Sequence, residues 1–194
     1  MDRTSGDFDG IGHSIPSELF PEEIYSEGIL FKLGPKDGIG NNTLVCEGDT
    51  IMLTQGNFNQ INILAASTRD TYGTFKVDDK TFNIGIHYYS GFIGQWSSLN
   101  FNNKVKPVDF KLVPSFLKKD NIAWVGTHRH DVSGINGAYI YCYLYKYSFD
   151  ITEGAKTLIL PHNDKIRIMV ITLSNNHNST THPVSNFGIG LNGQ

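Results

Sequence analysis

The sequence predicts an all-β fold, an antiparallel β-sandwich of the jelly-roll kind. Three observations carry this. Apolar residues recur at strand period along most of the chain, with Gly, Asn and Pro between the runs. Apolar residues spaced for a long amphipathic helix are absent. Tyr139, Tyr141, Tyr143, Tyr145 and Tyr147 alternate with Ile140, Cys142 and Leu144, the pattern of one long strand.

Taken in order, the elements are as follows. Residues 16–25 have room for one short turn of helix, capped by Ser14 or Ser17 and limited by Pro21. Residues 28–33 read as a strand ended by Gly34-Pro35, followed by strands at 50–53 and 60–66. Both faces of the last become apolar, as in a central strand covered on both sides. Residues 74–77 and 81–86, joined by Asp78-Asp79-Lys80, form a hairpin. Strands at 122–127, 138–149, 157–160 and 165–173 complete the set. Ile63, Leu64, Phe75, Trp124, Ile140, Leu144, Ile168 and Val170 are the expected core. Residues 97–119 read as a long loop. The expected organisation is one domain over residues 1–173 and a polar extension or linker over 174–194.

Composition narrows the function. Charged residues make up 18% of the 194, the net charge is -3, and acids and bases are interspersed. No basic stripe marks a nucleic-acid or membrane-surface partner, and no apolar run has the length of a membrane-spanning helix. The opening carries no export signal, so the expectation is cytoplasmic unless a signal lies outside this sequence. Cys46 and Cys142 are either one disulfide or two buried thiols.

Several segments resemble galactose-binding-like jelly rolls. They are Asp7-Phe8-Asp9-Gly10, His13-Ser14-Ile15-Pro16, Glu18-Leu19-Phe20-Pro21, the strand at 28–35, and NQINILAAS at 59–67. More specific are Ser90-Gly91-Phe92-Ile93-Gly94-Gln95-Trp96, Trp124-Val125-Gly126-Thr127-His128-Arg129-His130, and Tyr147-Ser148-Phe149-Asp150-Ile151 leading to Thr157-Leu158-Ile159-Leu160-Pro161. In this order, over residues 7–173, they resemble the C-terminal β-sandwich region of bacterial α-mannosidases of glycoside hydrolase family 38. The zinc-bearing catalytic barrel of that family has no counterpart here. The resemblance therefore implies an accessory module, with a glycan or a glycoside hydrolase catalytic domain as partner.

Four groups of residues carry candidate chemistry. His128 and His130 share one face if their strand continues through them, and a His-x-His pair supplies two metal ligands, with Asp131 as a possible third. The cupin pattern of His-x-His followed by Glu fails here, since no Glu lies between His130 and Asp150. The competing readings are a loop rim and a glycan contact. Asp7 and Asp9, among glycines, offer hard oxygen ligands for a structural calcium, as jelly-roll carbohydrate modules often hold, or simply form turns. Trp96 and Tyr88 could stack a sugar ring while Arg129 and His130 bond its hydroxyls, or Trp96 could plug the core. The fourth group is negative. There is no Gly-x-Ser-x-Gly elbow, and Glu47, Asp49, Asp78, Asp79 and Glu153 sit at expected turns. The leading expectation is a non-catalytic, carbohydrate-associated module. The alternatives are a metal-dependent enzyme using His128 and His130, and a structural protein-interaction domain.

Overall fold

The computed structural model describes residues 4, 6–36, 40–91 and 121–175, without the side chains of Ala138 and Tyr139. Its strands are β1 (Glu23–Ser26), β2 (Ile29–Lys32), β3 (Leu44–Glu47), β4 (Thr50–Met52), β5 (Gln60–Ser67), β6 (Thr71–Val77), β7 (Lys80–Ile86), β8 (Ser90–Gly91), β9 (Ile122–His130), β10 (Asn136–Asp150), β11 (Thr157–Ile159) and β12 (His162–Ser174). Every pairing between these strands is antiparallel.

The strands form two main sheets and one hairpin. One sheet runs β3-β12-β5-β10, and β10 carries both β8 and β9. Cys142 of β10 pairs with Ser90 and also with Gly126, so β8 and β9 lie on opposite edges of that strand. The second sheet is β4-β11-β6-β7, and β1 pairs only with β2. Phe149 on β10 meets Phe75 of β6 at 5.1 Å and Phe82 of β7 at 5.2 Å, which locks the two sheets face to face.

All eight residues of β5 are buried, as the two-sided apolar pattern predicts. Asn62, one of its polar residues with Gln60 and Ser67, is satisfied. It accepts from Ser148 Oγ at 2.7 Å and donates to Ser174 Oγ at 2.9 Å. Two hairpins use turn residues at positive φ. At the β6–β7 turn Asp78 has φ 49°, and its carboxylate accepts from the backbone and hydroxyl of Thr157. At the β1–β2 turn Glu27 has φ 47° and Gly28 has φ 81°, the backbone of a two-residue turn matched to strand twist. Glu27 reaches Lys146 Nζ at 3.1 Å, while Asn121 donates to the same carboxylate at 3.1 Å. Burial lowers the pKa of the Lys146 ammonium, and Glu27 works against that.

Several expectations change. Among the described residues helix is confined to a 3-10 turn at Ser17–Leu19, and Ile24 and Tyr25 lie in β1 instead. Neither β1 nor β3 was expected. Ile63, Leu64, Phe75, Leu144 and Ile168 are buried, but Trp124, Ile140 and Val170 are only half-buried. Val170 follows a bulge, because the pairing of β12 with β5 skips Met169 between Ile168 and Val170. One extra residue turns the alternation, and the buried positions of β12 end at Ile168. Trp124 stands edge-on to Phe20 at 5.1 Å and lies over Gly126, where a Cβ would come within 2.6 Å of its ring. Trp96, the loop at 97–119 and the tail after residue 175 lie outside the described residues.

Cys46 and Cys142 are free, buried thiols. Burial pushes each pKa up to about 12, so neither is a ready thiolate. Two outcomes follow. Native protein should resist iodoacetamide at both cysteines until it is unfolded, as read by intact mass. Leu144→Ala should cost about 2–5 kcal/mol in denaturant unfolding, because it leaves a cavity in the middle of β10. A loss under about half a kcal/mol would put Leu144 outside the core.

Candidate functional site

Tyr143, Tyr145 and Tyr147 line one face of β10 and are buried. Their hydroxyls all meet the backbone of one short segment, residues 87–91. Tyr143 donates to the Gly91 carbonyl at 3.3 Å and Tyr145 to the Tyr88 carbonyl at 3.1 Å, while Tyr147 Oη accepts from the His87 N–H at 3.0 Å. The backbone adds bonds from Ser67 N–H to His87 and from Tyr143 N–H to Tyr89. Burial raises the pKa of all three phenols, that of Tyr143 to about 12, so they act as neutral hydrogen-bonding groups.

This anchored segment presents Tyr88 and Tyr89. Tyr89 is buried and donates to Asp9 Oδ2 at 2.9 Å. Asp9 also lies 2.8 Å from His13 Nδ1, and its Oδ1 accepts from the N–H groups of Ile11 and His13. Its side chain is only 6% exposed. Burial opposes its charge, but the bonds from His13 and Tyr89 prevail and hold the carboxyl below its ordinary pKa. Asp7 Oδ1 accepts from Gly10 and Gly12 N–H. Both expected calcium ligands are therefore occupied in closing the 7–13 loop.

The closed loop delivers the chain to the free edge of β9. Ser14 and His130 exchange both backbone hydrogen bonds, at 3.2 and 3.0 Å. The 3-10 turn follows at once and places Glu18 beside the histidines. Glu18 Oε1 lies 3.0 Å from His130 Nε2 and 3.8 Å from His128 Nε2. His130 is 2% exposed, and the Glu18 side chain 29%. The His-x-His strand does continue through both histidines, which share one face. Asp131 is not the third member. Its Oδ1 accepts from the N–H groups of Ser133 and Ile135 and caps the β9–β10 turn. Glu18, which the sequence did not single out, takes that place.

Arg129 points to the other face of β9 by alternation. Its Nη1 lies 3.4 Å from the Tyr88 hydroxyl, a long hydrogen bond. The expected ligand contacts thus separate into two groups. Tyr88 meets Arg129, and His128 meets His130 and Glu18.

The fold and this seam define an antiparallel β-sandwich domain whose N-terminal segment completes a polar cluster at one sheet edge. The chain belongs to the family of AziU2-like β-sandwich domains, which it matches over residues 1–177. That description names the sandwich and no carbohydrate. A comparison with curated proteins gives no match.

A carboxyl with a lowered pKa in the folded protein stabilises it above the unfolded value, near pH 4, and that contribution is lost as pH falls through the folded value. Asp9→Asn should therefore lower the melting temperature at pH 7 and flatten its fall between pH 5 and about pH 3. An unchanged acid profile would show that Asp9 carries none of it.

Proposed function

We propose that this chain is a non-catalytic accessory module that binds a polyhydroxylated ligand of the glycan class weakly at the Tyr88–Arg129 edge. Packing on a glycoside hydrolase catalytic domain is the related role that the resemblance to family 38 implies. The observation that carries this reading is the burial of the tyrosine ladder. β-sandwich modules take sugars on an open sheet face or at loops along an edge. The phenols of Tyr143, Tyr145 and Tyr147 are committed to residues 87–91, so that face is closed to a ligand. The edge remains, where half-buried Tyr88 offers a ring and Arg129 offers donors to vicinal hydroxyls. The acids at turns support a non-catalytic role. Asp78, for example, is spent on the backbone of Lys156 and Thr157.

Affinity should lie between micromolar and millimolar, about 4–8 kcal/mol. On a glycan array and by calorimetry, Arg129→Ala should abolish binding and Tyr88→Phe should retain it, both with unchanged melting temperature. Binding that ignores Arg129 and Tyr88→Ala alike would overturn the assignment. The chain should not hydrolyse aryl mannosides. Turnover lost on changing His128 or His130 would replace this reading with a metal-dependent enzyme.

A further inference from the structure

We infer that Glu18, His128 and His130 form a binding site for a divalent transition-metal ion of the zinc class. The site uses neither Tyr88 nor Arg129, the two residues of the proposed glycan edge, so it stands or falls separately from that reading.

The donor set is the first support. Two imidazoles and one carboxylate form a three-ligand set used for zinc and for non-haem iron. The ligand atoms all lie within 4.8 Å of one another. Ligands of a tetrahedral ion with bonds of about 2.0–2.1 Å sit roughly 3.4 Å apart. The separations of 3.0 and 3.8 Å from Glu18 Oε1 bracket that spacing.

His128 supplies an independent observation. Its Nε2 is buried and has no hydrogen-bond partner among the described residues. At 3.8 Å, Glu18 is too far to accept from it. The other ring nitrogen lies 3.2 Å from Thr127 Oγ1. Where Thr127 accepts from Nδ1–H, Nε2 carries a lone pair that faces the carboxylate, one acceptor against another. A bound cation satisfies the buried Nε2, and the Thr127 contact is the outer hydrogen bond that orients a metal-ligating imidazole. An ordinary His–Glu ion pair accounts for His130 but leaves His128 unexplained.

Rigidity differs usefully among the three. β9 fixes both histidines through its pairing with β10, where His128 stands opposite Ala138 and His130 opposite Asn136. Glu18 comes from the solvent side on the 3-10 turn. The protein contributes three ligands, and Glu18 is the most exposed of the three.

The test uses the full chain without an affinity tag. Titration with Zn2+ by calorimetry should give one site per chain. Co2+ should add visible d–d bands that Zn2+ displaces. Glu18→Gln and His128→Gln should each weaken Zn2+ by about tenfold or more. Glu18 is part-exposed, so circular dichroism should show that Glu18→Gln keeps the fold. His162→Gln, on an exposed residue of β12, should leave the affinity unchanged. The inference is overturned if Zn2+ gives no saturable isotherm, or if Glu18→Gln and His128→Gln bind as the parent does.

Discussion

Three buried phenols on one strand set the arrangement of everything at this end of the sandwich. A hydroxyl taken from water needs a partner, and leaving one unpaired costs about 1–3 kcal/mol. Tyr143, Tyr145 and Tyr147 find theirs in the backbone of residues 87–91, which therefore has one place to lie. That placement aims Tyr89 at Asp9, and Asp9 holds His13. The next residue, Ser14, pairs with His130, and Glu18 arrives one 3-10 turn later. A strand near the C-terminus thus determines where an N-terminal carboxylate sits, with no direct contact needed between them.

Polar groups elsewhere in the interior follow the same rule. Asn62, Ser148 and Ser174 link three neighbouring strands side by side. Lys146, with its side chain wholly buried, extends to Glu27 on the separate β1–β2 hairpin. Apolar packing forbids a one-residue slip, but after a slip of two residues the same face still points inward, so it tolerates that slip more readily. A buried amide or ammonium does not, because a slide of either length removes its partner. These bonds complement the apolar contacts between Phe149, Phe75 and Phe82, which hold the sheets together without fixing their register.

Much of the fold was legible from periodicity, because strand burial has a period of two. The continuous apolar run of β5, the Asp78-Asp79 hairpin and the alternation of β10 each carry that signal within a few residues. β1 and β3 escaped it because each buries one residue of four, Ile24 and Cys46, too few to show alternation. The half-burial of Val170 depends on a bulge at Met169, which is settled by β12's partner β5 and leaves no local mark. The site divides likewise. His128 and His130 stand out as a pair two residues apart on one strand. Glu18 lies 112 residues from His130, and the Ser14 bridge, with Phe20 against Trp124, brings it near. Separation in sequence likewise hid the link from Tyr89 to Asp9, which span 80 residues.

That bridge consists of a single residue pair at the edge of β9, outside the main ladders. Side-chain contacts add to it, from Tyr89 to Asp9, from Arg167 to the Phe8 carbonyl and from Phe20 to Trp124, and a segment held in this way can open below the free energy of global unfolding. Opening of residues 7–20 costs the burial of Phe8 and Phe20, and it takes from His128 and His130 their carboxylate neighbour. Any ligand that needs all three groups therefore binds only the closed fraction, and its apparent affinity is scaled by that fraction. A partner that clamps the N-terminal segment onto β9 would tighten the cluster from a distance without touching any of its members.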